Sequence, residues 1–424
     1  MREYIAGGIE QAGKEFFCMR FFFLAAVICL LSTGVAMGRE PEDPTAANLE
    51  EFFEKGRFSG VFRTFYMNRV FDKPIDKIQE TNAFGGWLNY RSASWNGFKL
   101  GLTGYTAEKL FIGNPGRDGA GLLAAGQTGY AILGQAFLQQ QAGTTMLRIY
   151  RQELNTPFIN PHDVRLIPKT MEAYTWEGTV SKKLSFIASH VTAMKGWNAR
   201  EFRSMSVYAG FPGTDEPVTL AGLNYRPAEN CTLQAWNYAC WNFMNIVYFQ
   251  GDLSWKMKSD HKMTLSLQAV DQGDIGRAIG GRFHTGMLGV KTAYQGPRGL
   301  VWLAYTSTAD GADIKNPWGS YQGFTSIMEE DSDLASEQAW AAGLKYDFRN
   351  TRERGFAASI AHARCYKPKS GNLEFPHQLE TDFDLKYYFG RSTNILLRRA
   401  LVYRAHDMGN VDFTDIRLLL NFSF

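Results

Sequence analysis

Basic and acidic side chains recur at alternate positions in the last part of the chain. Asp382, Asp384 and Lys386 stand two apart, as do Asp415 and Arg417. Lys345, Arg398 and Arg404 hold the polar positions of other alternating segments, and Arg148 does so nearer the amino terminus. A period of two places such residues on one face of a strand. A row of cations on a shared face can pass a carboxylate from site to site, each contact weak enough to release it. A guanidinium stays charged at any working pH and grips a carboxylate through two parallel hydrogen bonds. The plainer reading is that these cations only neutralise Asp382, Asp384 and Asp415 across the same space. A second set, His162, Asp163, Arg165 and Lys169, lies in "NTPFINPHDVRLIPKT" at 155–170, interleaved with Phe158, Ile159, Val164, Leu166 and Ile167.

Catalysis finds little support. The seven histidines include His190, His284, His362, His377 and His406, each standing singly with no repeated Ser or Asp spacing. Beyond the amino-terminal region the cysteines are Cys231, Cys240 and Cys365, an odd, scattered set that forms neither a disulfide framework nor a metal spacing. On one extended strand, Cys231 and Cys240 would lie roughly 30 Å apart, beyond disulfide reach. No cofactor, metal or enzymatic activity is expected. Lys and Arg number 45 against 42 Asp and Glu, a poor footprint for nucleic acid.

The elements that must position the charged rows are long strands. In "HQLETDFDLKYYF", Leu379, Phe383, Leu385, Tyr387 and Phe389 share one face, and Gln378, Glu380, Asp382, Asp384 and Lys386 the other. "MTLSLQA" at 263–269 and "QAWAAGLKYDF" at 338–348 alternate in the same way. Segments of about 10–13 residues exceed the usual strand of five or six. Eighteen of them are predicted, from 57–70 to 412–424. Short turns, such as those at 142–143, 181–183, 227–230 and 390–394, alternate with long connections near 107–128, 154–170, 197–217, 272–282 and 308–336. Short turns at one end and long loops at the other mark a barrel crossing an outer membrane, where a sheet must close because lipid satisfies no backbone polar group. The fold class expected is therefore all-β: an 18-stranded antiparallel transmembrane barrel whose third long connection folds inward as a constriction. Trp87, Tyr90, Trp176, Trp236, Trp255, Trp302 and Trp340 fall near strand ends and are expected in interfacial girdles.

The amino terminus reads as an export signal. Lys14 and Arg20 precede the apolar run "FFFLAAVICLL", and small residues follow, predicting cleavage after Ala36 or Gly38. The run is shorter than the about 20 apolar residues a spanning helix needs, and Cys29 lacks the neighbours of a lipid-anchor site. The organisation expected is a signal over 1–38, a short periplasmic segment over 39–56 carrying a small helix in "ANLEEFFEKG", and the barrel over 57–424. The barrel begins too soon after the signal for a plug domain of the kind an active transporter needs.

The chain ends "DIRLLLNFSF", with Ile416, Leu418, Leu420, Phe422 and Phe424 alternating against Asp415, Arg417, Leu419, Asn421 and Ser423. A closing strand that pairs with the first would hold such an end in place. Phe424 is expected in the periplasmic girdle and as an assembly signal read by the barrel-assembly machinery. Arg417 would lie roughly 18 Å up a strand tilted by about 40°, near mid-height.

"MLRIYRQELNTPFINPHDVRLIPKTMEAYTWEG" followed by "LSFIASHVTAMKG" resembles the third-loop region of OprD-type outer membrane porins. "GVFRTFYMNRVF" and "LAGLNYRPAENCTLQAWNYA" carry the same likeness, which spans the mature chain and is densest in these stretches. The resemblance implies a monomeric channel with an inward third loop, often helped by the seventh. It implies small carboxylate-bearing solutes, including amino acids and aromatic acids, moving along lumenal arginines that face acidic groups. The partners expected are the outer membrane bilayer, small hydrophilic solutes and the assembly machinery. The third loop is shorter and more hydrophobic than in the family's basic-amino-acid channels.

Overall fold

The computed structural model describes residues 44–110, 117–257, 260–320, 323–349, 353–366, 369–370, 373–374, 377–404 and 411–424. The expected signal over 1–38, its cleavage site and Cys29 lie outside the described residues, as does His406.

The alternating segments form the wall. Its first six strands are β1 (Arg57–Phe71), β2 (Lys77–Arg91), β3 (Phe98–Lys109), β4 (Tyr130–Ala142), β5 (Thr145–Gln152) and β6 (Thr170–Ser181). Then come β7 (Leu184–Lys195), β8 (Val218–Ala228), β9 (Cys231–Cys240), β10 (Met244–Lys256), β11 (Lys262–Asp274) and β12 (His284–Gln295). The last six are β13 (Gly299–Thr308), β14 (Gln338–Asp347), β15 (Gly355–Tyr366), β16 (Gln378–Tyr388), β17 (Thr393–Arg404) and β18 (Phe413–Ser423). Each pairs antiparallel with its neighbour in sequence. Closure comes from β18 on β1, in register from Val61 opposite Ser423 to Phe71 opposite Phe413. The eighteen-stranded antiparallel barrel expected from the alternation is the fold observed, with a two-residue strand, Arg203–Ser204, laid against β7 and a separate pair of two-residue strands, Lys369–Ser370 and Leu373–Glu374. No helix among the described residues is long and apolar enough to cross a membrane; the wall crosses with strands.

The parity of each strand decides which side chains face lipid. On β18, Leu418 and Leu420 are 41% and 40% exposed, whereas Asp415 and Arg417 are 0% and 2% exposed. Leu267, Phe383, Leu385 and Leu397 repeat the outward apolar face on other strands. Outward-facing apolar residues are normal here, because the hydrocarbon layer takes the place of a core.

The last residue is held as expected of a closing strand. Phe424 and Gly60 exchange two backbone hydrogen bonds of 3.0 and 3.1 Å. At the same end, a helix (Leu49–Glu54) forms within the predicted "ANLEEFFEKG". Asn48 caps it by accepting from the Glu51 backbone N–H, and the Glu51 carboxylate accepts from the Ala47 N–H. Phe52 is its one buried residue, and the Tyr90 hydroxyl donates to the Phe53 carbonyl at 2.7 Å.

The girdle expected from tryptophan positions needs correction. Trp176, Trp255 and Trp340 are exposed on the outer face. Trp87, Trp236 and Trp302 point inward: Trp87 lies under the Arg63 guanidinium, and Trp236 and Trp302 line the lumenal cavity. Strand parity turns these three inward, where Trp87 meets Arg63 and Tyr105, Trp236 meets Tyr238, and Trp302 meets Lys291. The ends also differ less cleanly than expected, since the connections at 72–76 and 241–243 are short although they lie at the long-loop end.

Candidate functional site

Residues 153–169, joining β5 to β6, cross the interior of the barrel. The Phe158 ring packs on Tyr238 of β9 at 5.7 Å and Tyr248 of β10 at 6.1 Å. Asp163 takes both Nη atoms of Arg63 on β1, at 2.8 and 3.0 Å, and the Arg165 carbonyl accepts from the same guanidinium. In a ring of eighteen strands, β1 stands opposite β9 and β10, so this segment reaches from one wall to the other. Its apolar residues explain why it enters: Phe158, Ile159, Leu166 and Ile167 are fully buried, in two clusters formed with the inner faces of the strands. Fully burying one such side chain contributes about 1.5–3 kcal/mol.

Two further connections lock onto it. From 196–217, Trp197 Nε1 donates to the His162 carbonyl at 2.6 Å. From 309–337, Asn160 Nδ2 donates to the Ser320 carbonyl and Lys169 Nζ to the Gly319 carbonyl. Trp318, fully buried, donates to the Met205 carbonyl. Two lumenal cavities flank the crossing segment, one of about 1470 Å³ and one of about 430 Å³. Asp163, Val164, Arg398 and Arg417 line both, which puts the tip of the segment between them.

The wall arginines are occupied by the protein's own carboxylates. Asp415, fully buried, bridges Arg69 and Arg417. Glu329, from the connection at 309–337, pairs with the same two arginines, one carboxylate oxygen to each. Arg398 pairs with Asp384 at 2.8 Å, and Arg404 with Glu330. Backbone N–H groups of Glu329 and Glu330 each donate to Glu380 at 2.8 Å, fixing this stretch of loop against β16.

The sequence-predicted residues are thus brought together unevenly. Arg165 lies beside the Arg69, Asp415 and Arg417 group. Arg148 does not: it binds Gln139 and lies over Phe137 on β4, five strands from Arg417, or roughly 24 Å around the wall. Lys386 lies over Tyr388 near the short-turn end, and Lys345 is exposed on the inner face of β14 at that end. Lys169 lies over Trp197. Burial, with Arg165 nearby, pushes the Lys169 ammonium down to about 8, and burial beside Arg69 pushes Arg165 down to about 10; both remain cationic at neutral pH. Burial, followed by the charges of Lys169 and Arg165, pushes His162 down to about 3, so it is a neutral imidazole there. Arg63, Arg69 and Glu329 escaped the sequence reading. Arg63 and Arg69 share the inner face of β1 with Phe65 and Met67. The alternation of that strand, opposite the exposed Val70, was the signal available. For Glu329 no local signal exists, because a loop glutamate has no periodicity to read.

The fold is shared with solved porins. The crystal structure of Pseudomonas aeruginosa OccK9 (OpdG) superposes with a TM-score of 0.80 at 20% identity, over 88% of this chain and 99% of that one. Pseudomonas aeruginosa OpdK with vanillate gives 0.78 at 18% identity, and Pseudomonas aeruginosa OccK2 (OpdF) in complex with glucuronate gives 0.76 at 16%, with the same coverage. No curated protein matches. The model of the outer membrane porin, OprD family, matches residues 50–424, and with the closed barrel and its loop-filled lumen this places the chain in the OprD family of outer membrane porins.

Proposed function

We propose that this porin admits small carboxylate-bearing solutes, such as amino acids and organic or aromatic acids, through a lumen narrowed by residues 155–170. The observation that carries the reading is the charge around the crossing segment. The smaller lumenal cavity is lined by Arg63, Lys386, Arg398 and Arg417 against the single carboxylate of Asp163, which leaves a positive balance beside the tip of the crossing segment. Solved relatives hold vanillate and glucuronate, both carboxylates. In this reading Arg148, Arg165, Lys169, Lys345 and Lys386 add to the positive potential along the path, with Arg398, Arg404 and Arg417 shaping it through their pairs. His162 and Asp163 line the passage without adding positive charge.

Liposome swelling with amino acids, carboxylates and neutral sugars of matched size tests this, with carboxylates expected to enter faster. A second reading, an unselective diffusion pore, is favoured by the ion pairs that already occupy Arg69, Arg398, Arg404 and Arg417. Equal rates for all solutes of one size would establish it instead.

The same proposal has the chain exported through the periplasm by residues 1–38 and working as a monomer. It also makes Phe424 the feature read by the assembly machinery. Phe424→Ala is expected to reduce the amount of folded protein in the outer membrane while the pores that do insert conduct normally. Undiminished membrane levels would remove the assembly role.

A further inference from the structure

The ion-pair pattern raises a question the charge balance hides: which lumenal cation is free to take a solute anion? Arg398 and Arg417 line the larger cavity but are already paired. An arriving carboxylate would have to displace a tethered one held at high local concentration. Lys291 is different. It lies on the inner face of β12, lines the same cavity, and has no hydrogen-bond or carboxylate partner among the described residues.

What surrounds Lys291 is aromatic. Its Nζ stands 4.6 Å from the centre of the Trp302 ring on β13 and 6.0 Å from that of Phe324, which comes from the connection at 309–337. Both rings depend on missing side chains. A Cβ at Gly343 on β14 would come within 2.3 Å of Trp302 Nε1, so glycine lets the indole lie against the wall. A Cβ at Gly289 would meet Phe324 at 3.2 Å, so that glycine lets the loop close onto the strand. Ring faces attract an ammonium, and that ammonium carries three N–H donors and no acceptor. They also offer a flat apolar surface beside the charge.

We propose that Lys291, with Trp302 and Phe324, is the receiving site for solute carboxylates in the larger cavity. Its ligand is a monocarboxylate whose flat apolar body lies on Trp302. A carboxylate arriving here displaces water alone, whereas at the arginine group it must displace Glu329 or Asp415. The assignment rests on the carboxylate reading above, and the test separates the two.

The experiment measures binding of benzoate and acetate to the detergent-folded porin by tryptophan fluorescence, with anion permeability from reversal potentials in planar bilayers. Wild type is compared with Lys291→Met, Trp302→Leu and Arg165→Met. Losing a charge-assisted hydrogen bond should weaken benzoate binding about tenfold in Lys291→Met. Trp302→Leu should weaken benzoate more than acetate, a difference that a merely structural role would not produce. The gel mobility of the unheated form verifies that each variant is folded. If Lys291→Met binds benzoate as wild type does while Arg165→Met loses it, the site is on the crossing loop and this assignment is overturned. If wild type itself shows no preference for carboxylates over sugars in the swelling assay, the carboxylate reading fails first, whatever the variants do.

Discussion

Removing residues 157–166 should raise single-channel conductance severalfold and for every solute alike. An eighteen-stranded wall encloses a lumen wide enough for an aqueous channel, and the crossing segment separates its two cavities. The segment is held by burial of Phe158 and Ile159 on one wall and by the Arg63–Asp163 pair on the other. Deletion would also uncover Tyr238 and Tyr248, so a gentler variant is needed alongside it. Phe158→Ala keeps the length and removes the anchor, at a cost of about 3–5 kcal/mol for a fully buried phenylalanine. It should give pores that flicker between the wild-type level and a larger one. Conductance unchanged in both variants, with normal mobility of the unheated protein, would mean that these residues do not set the width of the passage.

Asp415→Ala should destabilise the barrel more than any other single lumenal change. Asp415 has no solvent exposure and joins Arg69 to Arg417, both on strands at the closure seam. Its loss leaves two guanidinium groups sharing only Glu329. Breaking a buried pair by removing one partner costs about 3–5 kcal/mol, because an uncompensated charge stays behind. The barrel has no open edge to fray, so the loss should appear as a lower temperature for converting the compact, unheated gel form to the slow, unfolded one. Asp415→Asn keeps some hydrogen bonding and should fall between. Replacing all four of Arg69, Glu329, Asp415 and Arg417 with apolar residues should recover much of the loss, as replacing whole buried ion groups often does. A wild-type transition in Asp415→Ala would show that water already screens this network.

Much of the wall was legible in the sequence, for a local reason. Side-chain direction in a strand has period two, and one face meets lipid while the other meets the lumen. The alternation at Ile416 to Phe424 therefore identified inward Arg417 and outward Leu418 before any contact was known. The count of eighteen, the closure of the last strand on the first and the small helix in "ANLEEFFEKG" follow from equally local patterns. The apolar residues at 158, 159, 166 and 167 also marked a connection that would be buried. What tertiary structure decided is which charges meet. Glu329 reaches Arg69 across 260 residues and Arg417 across 88, and nothing in the spacing around any of the three announces it. The inward direction of Trp87, Trp236 and Trp302 is again a matter of parity, since each shares its face with residues such as Ala83, Tyr238 and Ala304. The loops that pack in the lumen are placed by contacts between distant segments, which leaves no periodic trace in the chain.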